Sequence, residues 1–269
     1  MNFRDFEHAG WESVAQRYHD AFARLTSQAI GPLLEAAGAK PGAKLLDVAS
    51  GPGYVAAVAA EQGTQAVGVD FASSMVELAS ERYPGVKFQQ GDAESLPFPD
   101  ASFDAVTMNF GVLHLANPDR ALEEAHRVLR PSGRFAFTAW AAPEQARGFG
   151  VVLDAIGKFG RTEVGLPPGP PFFRFADAAE SRRSLERVGF ENAQARILPL
   201  AWRLESTATL FEWMMASTVR TGALLRAQTP AALESIRQAV GASAARFLKG
   251  HAVEIPMPAV LAFATKRSS

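Results

Sequence analysis

The chain has 269 residues, of which 48% are hydrophobic and 20% charged, with a formal net charge of −1. That length buries one sizeable core and leaves room for a lid or an insertion. A near-neutral balance without a Lys/Arg cluster argues against nucleic acid, and the absence of cysteine excludes disulfides and thiolate metal sites.

No apolar run approaches the roughly 20 residues that span a bilayer. Met1 to Glu7 is charged and lacks the apolar core of a signal peptide. The expectation is a soluble cytoplasmic protein with no membrane insertion. Val14, Tyr18, Phe22, Leu25, Ala29 and Leu33 fall at helical spacing and predict a helical region over Ser13–Ala37, with Gly31-Pro32 as a break point. Lys44–Val48 reads as a strand that closes on Asp47. Ala49-Ser50-Gly51-Pro52-Gly53-Tyr54 is a tight turn of small residues, and Val55–Glu61 is an Ala-rich helix. Strand, glycine turn and helix together aim backbone N–H groups and a helix N-terminus at an anionic or polar cofactor.

The alternation continues. Gln65–Asp70 is a second strand, and Ser74 and Glu77 have capping-box spacing for a helix to Arg82. Val86–Gln90 and Ala105–Asn109 are the third and fourth strands. Asn117-Pro118 supplies an N-cap and a first-turn proline for a helix that ends at Pro131-Ser132-Gly133, before a fifth strand over Arg134–Trp140. Further on, the sequence predicts helices over 143–160 and 177–188, a sixth strand over Phe190–Leu200, helices over 207–220 and 231–249, and a last strand over Met257–Thr265. Short apolar strands alternating with helices indicate a parallel sheet covered on both faces, a Rossmann-like doubly wound α/β fold. Ligands of such sheets lie beyond the carboxyl ends of the strands, where Asp47, Asp70, Asp92 and Asn109 all fall.

The turn matches the dinucleotide pattern G-x-G-x-x-G/A, and Asp70 lies near the spacing of a ribose ligand. Alone, this admits a nicotinamide-dependent oxidoreductase. Two features point elsewhere: Asp47 sits at a strand end where it can meet an ammonium group, and Asp92 in Gly91-Asp92-Ala93 suits an exocyclic amine such as adenine N6. A ligand carrying ammonium, ribose and adenine is S-adenosylmethionine.

The stretches Leu45–Tyr54, Val67–Asp70, Gly91–Phe98, Ser102–Val106, Asn109–Leu115 and Arg127–Arg134 resemble, in consistent order over Ala43–Trp140, the class I S-adenosylmethionine-dependent methyltransferases of the ubiquinone/menaquinone-biosynthesis-like (type 11) group. The resemblance implies a seven-stranded sheet whose last strand is antiparallel, with an N-terminal helical segment and a helical insertion between strands 6 and 7. It also implies one domain over 1–269, divided into a lid (1–40), a cofactor core (41–140) and substrate-side insertions (141–176 and 201–250). The family's D-x-G-x-G-x-G pattern departs here at Ala49, which replaces the first glycine.

Carried over by position, Asp47, Ala49, Ser50, Gly51 and Gly53 belong to the turn around the methionine moiety. Asp70 binds the ribose, Phe71 and Met75 pack on adenine, and Asp92 and Ala93 meet its polar edge. Asn109 and Phe110 flank the reactive sulfur. For Met75, ordinary core packing stands beside the adenine role. Trp11 and Tyr18 are lid residues. The product would be S-adenosylhomocysteine, and the partner a small-molecule methyl acceptor. A non-catalytic binding module of the same fold is the alternative, though the strand-end acids it would have lost are all present.

His114, after the fourth strand, is the histidine placed to act as a general base, with shaping of the loop as its other reading; His126, among Glu123, Glu124 and Arg127, reads as a solvated face. Arg127–Arg134 reads as structural, with its charges at a helix C-terminus. The aromatic residues Phe149, Phe172, Phe173, Phe175, Trp202, Phe211 and Trp213 lie outside the common core. They favour an apolar or aromatic acceptor, methylated on O or C ahead of N, and Arg174 is placed to meet an acceptor's carboxylate or phenolate. No clustered metal-ligand spacing is present.

Overall fold

The computed structural model describes residues 1–268. Helix α1 (Phe3–Thr26) begins ten residues before the sequence expectation, because the Asn2 side chain accepts from the Asp5 backbone N–H at 2.9 Å and caps it. Its buried face runs Phe3, Glu7, Trp11, Val14, Ala15, Phe22 and Leu25, a helical stripe with one acid in it. A short 3-10 turn (Ser27–Ala29) separates it from α2 (Ile30–Ala36), so the break precedes Gly31-Pro32.

The alternating half follows: β1 (Lys44–Val48), α3 (Tyr54–Glu61), β2 (Gln65–Asp70), α4 (Ser73–Arg82), β3 (Lys87–Gln90), β4 (Phe103–Asn109), α5 (Pro118–Val128) and β5 (Leu129–Trp140). The last four residues of β1 are buried, as a strand covered on both faces requires. The Ser74–Glu77 capping box does not form. Instead, α4 is capped from outside: the Glu12 carboxylate of α1 accepts from the backbone N–H groups of Ser73 (2.6 Å) and Ser74 (2.9 Å). An ionised group at a helix N-terminus meets both the orphan donors and the dipole.

Beyond β5 come α6 (Arg147–Phe159), α7 (Ala178–Arg187), β6 (Phe190–Leu198), β7 (Ala201–Leu204), α8 (Thr209–Ser217), α9 (Arg220–Arg226), α10 (Pro230–Ala244), β8 (Leu248–Lys249), β9 (Ala252–Pro256) and β10 (Ala259–Lys266). The large sheet has the order β3-β2-β1-β4-β5-β10-β6, with β10 antiparallel to both neighbours. This is the seven-stranded sheet expected, and not the 3-2-1-4-5-6 order of dinucleotide-binding domains. The expected sixth strand ends early, since β7 leaves it to pair with β9 in a separate three-stranded sheet, β7-β9-β8. The helix expected over 207–220 ends at Ser217, and after Thr218 and Val219 a second helix, α9, follows. No helix among the described residues is long and apolar enough to cross a membrane.

The core lies on both faces of the large sheet, with Phe135, Phe137, Leu45, Leu46 and Met108 under 2% exposed. Each such side chain contributes about 1.5–3 kcal/mol of burial. At the start of α3, Gly53 has φ +88°, and a Cβ there would lie 2.7 Å from the Phe88 ring and 3.0 Å from Ala79 Cβ. Gly53→Ala is therefore expected to destabilise the protein by about 1–3 kcal/mol in urea denaturation; an unchanged midpoint would show that the Phe88 ring yields freely.

Candidate active site

The carboxyl ends of β1, β2, β3, β4 and β5 open into one cavity, roofed by α1 and by the α8–α9 connection, with about 1100 Å³ of empty space including its mouth. The turn after β1 forms its floor. Ala49 takes φ +51° and Gly51 φ +50°, so alanine adopts the left-handed conformation that glycine favours. The fit is local: a Cβ on Gly111 would lie 2.5 Å from the Ala49 methyl, so Gly111 supplies the room that the methyl occupies. Gly51 lines the cavity, and a Cβ added there would meet nothing within 4 Å. Its bare backbone faces open space.

Asp70 locks this floor. Its Oδ2 accepts from Gly51 N–H at 2.8 Å and its Oδ1 from Ala72 N–H at 3.0 Å, while burial pushes the carboxyl up to about 6. Asp70, Phe71, Met75, Gly91, Asp92 and Ala93 all line the cavity, so the residues assigned to ribose and adenine are brought together. Asp92 Oδ1 accepts from Glu94 N–H at 2.9 Å, and Oδ2 is paired with Arg4 from α1. Arg127 donates to the carbonyls of Leu96 and Phe98 and to Glu124. It therefore organises the loop beyond Asp92, in keeping with a structural role for the Arg127–Arg134 stretch.

Asp47, Ser50 and Gly53 stand behind the turn and not on the cavity wall. Asp47 is 1% exposed, its Oδ1 accepting from Thr107 Oγ1 at 3.0 Å and its Oδ2 without a partner. The placement beside an ammonium group expected for Asp47 is thus corrected: it sits beneath the backbone of the turn. Burial drives its carboxyl up to about 7.

At the end of β4, Asn109 links three elements. Its Nδ2 donates to Thr26 O at 3.3 Å, and its Oδ1 accepts from Thr138 Oγ1 at 2.7 Å. Phe110 has φ +57°, donates its N–H to Thr138 Oγ1 at 2.9 Å and stacks on Trp140 with centroids 4.0 Å apart. From there the aromatic wall is continuous. Trp140 meets Phe149, Phe149 meets Phe172, and Phe172 meets His114, with centroids 5.5–5.7 Å apart. His114 meets Trp11 edge-on at 4.7 Å, Trp11 meets Tyr18 at 5.3 Å, and Tyr18 stacks on Phe22 at 5.4 Å. All eight rings line the cavity. Burial pushes the Tyr18 hydroxyl up to about 12, so it is a neutral phenol there.

Glu7 is fully buried at the junction of these elements. Its Oε1 accepts from Arg220 Nε at 2.6 Å; its Oε2 accepts from Trp11 Nε1 at 3.1 Å and lies 3.0 Å from His114 Nδ1. The remaining Arg220 nitrogens donate to the carbonyls of Pro170 (2.9 Å) and Leu113 (2.8 Å). Burial opposes ionisation of Glu7, but His114 and Arg220 together hold its carboxyl below the usual carboxylate range. Glu7, Arg220 and Arg4 were not among the residues expected at the site. The signal for Glu7 was an acid four residues before Trp11, on the apolar stripe of a helix that begins at Phe3. Arg174, expected near an acceptor's anion, is instead held by Asp119 at 2.7 and 2.9 Å and by Glu180, away from the cavity wall. Trp202 and Phe211 are core residues. His126 is half-buried and packs edge-on against Phe190, not on an open solvated face.

The structure is thus an α/β fold whose seven-stranded sheet, with one antiparallel strand, carries an acid-and-aromatic cavity at its carboxyl edge. Residues 46–137 match the methyltransferase-domain family. A demethylmenaquinone methyltransferase of Beutenbergia cavernae is 42% identical over 121 residues, which cover 43% of this chain and 50% of that protein. The chain spans about half the length of the curated relatives it matches. Among solved structures, the YcgJ protein of Bacillus subtilis superposes with a TM-score of 0.58 at 22% identity, covering 90% of this chain and 99% of that one. Phosphoethanolamine N-methyltransferase 2 of Haemonchus contortus, in complex with S-adenosyl-L-methionine, gives 0.60 at 18% identity over 100% of this chain and 60% of that one. At these identities the superpositions establish a shared fold.

The raised pKa of Asp47 has a measurable consequence. Between its ordinary value of 3.8 and about 7, the folded protein holds a proton that the unfolded chain has released. The stability contributed there is complete below about pH 4 and is lost as the pH rises through about 7. Asp47→Asn keeps an acceptor for Thr107 and cannot ionise, so its stability relative to the parent is expected to grow from pH 4 to 7 in urea titrations without ligand. A constant difference would contradict the burial of an ionisable group at this position.

Proposed function

We propose that this chain transfers a methyl group from S-adenosylmethionine to a small apolar or aromatic acceptor, on oxygen or carbon. The observation that carries the reading is the single cavity that joins the acid-lined turn of Asp70 and Asp92 to an unbroken aromatic wall. The fit to the cofactor rests on the open space before the Gly51 backbone, on acids at the ends of β2 and β3, and on rings whose faces attract a cation. When bound, S-adenosylmethionine supplies an electrophilic methyl on a positively charged sulfur. Asp70 would hold the ribose, Met75 and Phe71 the adenine faces, and Asp92 the adenine amine once Arg4 releases it.

The chain's own residues then have three tasks. The aromatic wall seats the acceptor and keeps water out, so that the reacting atoms are held in line. Phe110 and Trp140, stacked at the end of β4 and β5, fix the acceptor side of the floor. His114 would take the proton of a hydroxylated acceptor. The family match ends at residue 137, before Trp140, Phe149 and Phe172, so the acceptor of the demethylmenaquinone relatives is not carried over.

Labelled methyl transfer to a panel of phenols, hydroxylated aromatics and aliphatic amines tests the reading. Product is expected from the aromatic alcohols or their ring carbons, and label only on amines would refute the acceptor class. Asp70→Ala is expected to weaken S-adenosylmethionine binding roughly 10- to 150-fold, the loss of about 1.5–3 kcal/mol for a charged hydrogen-bond partner. Unchanged affinity would remove Asp70 from the site.

A further inference from the structure

We propose that Glu7 is a positioning residue for the reaction, holding His114 with its proton on Nδ1 so that Nε2 receives the acceptor's proton. The inference rests on the reading of His114 as the base and adds the residue that makes it one. Glu7 Oε1 takes a 2.6 Å hydrogen bond from the Arg220 guanidinium, and Oε2 takes the Trp11 indole N–H. An ionised carboxylate only accepts. With Oε2 3.0 Å from His114 Nδ1, an unprotonated Nδ1 would set two lone pairs against each other in a fully buried place. Nδ1 therefore carries the proton. Nε2 makes no hydrogen bond to protein among the described residues, and His114 lines the cavity.

The charged groups facing Glu7 are Arg220 from α9 and His114 from the turn after β4, with Trp11 from its own helix. Three of the five Arg220 N–H donors go to Glu7 and to two carbonyls, which keeps Glu7 ionised and in place. The step balances: the acceptor's O–H proton passes to Nε2, its electron pair forms the O–CH3 bond, and the methyl–sulfur bond breaks with its pair left on sulfur. The resulting imidazolium has its counter-ion already in contact, and its proton later leaves to solvent.

Glu7→Gln tests this. An amide cannot accept at both ends; its oxygen is held by the charged Arg220 guanidinium, the stronger donor, so the NH2 group faces the Trp11–His114 side. Facing His114, it forces Nδ1 to accept and moves the proton to Nε2. In the parent protein, 15N NMR of labelled histidine, with the His114 signal assigned by its loss in His114→Gln, is expected to show neutral His114 protonated on Nδ1. In Glu7→Gln the proton is expected on Nε2. The variant's kcat should fall about 100-fold or more, with the KM for the cofactor and the acceptor within about twofold of the parent and the acid limb of the pH profile displaced. Neutral His114 protonated on Nε2 in the parent overturns the proposal, a result that needs no variant to fold. So does a Glu7→Gln enzyme with unchanged kcat, or one whose kcat falls with the tautomer unmoved. Full activity in His114→Gln is a different failure: it removes the base and with it the reading of the previous section.

Discussion

A carboxylate buried without counter-charge is among the costliest groups a fold can hold, and Glu7 is buried completely. Its requirement for partners is met by three elements far apart in sequence: α1 itself, the turn at His114 and the start of α9. Arg220 extends the junction to the carbonyls of Leu113 and Pro170. One side chain on the roof of the cavity thus fixes the roof to the walls. Removing either partner of such a pair typically costs about 3–5 kcal/mol, enough to decide whether α1 stays docked.

The floor depends on a different constraint. Ala49 and Phe110, at the ends of the adjacent strands β1 and β4, both have positive φ, a conformation that costs non-glycine residues of order 1–3 kcal/mol unless the surroundings enforce it. The surroundings do. Asp70 pins Gly51 beside Ala49, Gly111 leaves space for the alanine methyl, and Thr138 accepts the Phe110 N–H. Both strained residues line the cavity where the cofactor and acceptor would meet. Glu12 ties the same α1 to the start of α4, next to Met75, so the roof is held against the β2 edge of the cavity as well as against His114.

The cofactor half was legible because its signals are local. Lys44–Val48 and Gln65–Asp70 were read to the residue, since an apolar run ending on an acid before a small-residue turn needs no tertiary information. Asp70 and Asp92 follow from strand-end position, whereas Met75, on α4, rested on the family resemblance. What the sequence hid depends on contacts distant in the chain. The first ten residues of α1 look solvated because Arg4, Glu7 and Glu12 are charged, yet each finds its partner on another element. Residues 201–256 contain three strands of a separate sheet, two of them too short to show alternation. Arg174 illustrates the converse: a cation beside aromatic residues suggests an anion site, until the fold brings Asp119 to it.

Together these features describe a covered pocket with acids on one side and aromatic rings on the other. The central claim is that the ligand of the Ala49–Gly51 turn is S-adenosylmethionine and not a dinucleotide. Calorimetric titration of the protein with S-adenosylhomocysteine and, separately, with NADH tests it most directly. The account predicts one-to-one binding of S-adenosylhomocysteine with no heat from NADH, and saturable binding of NADH with none of S-adenosylhomocysteine would contradict it.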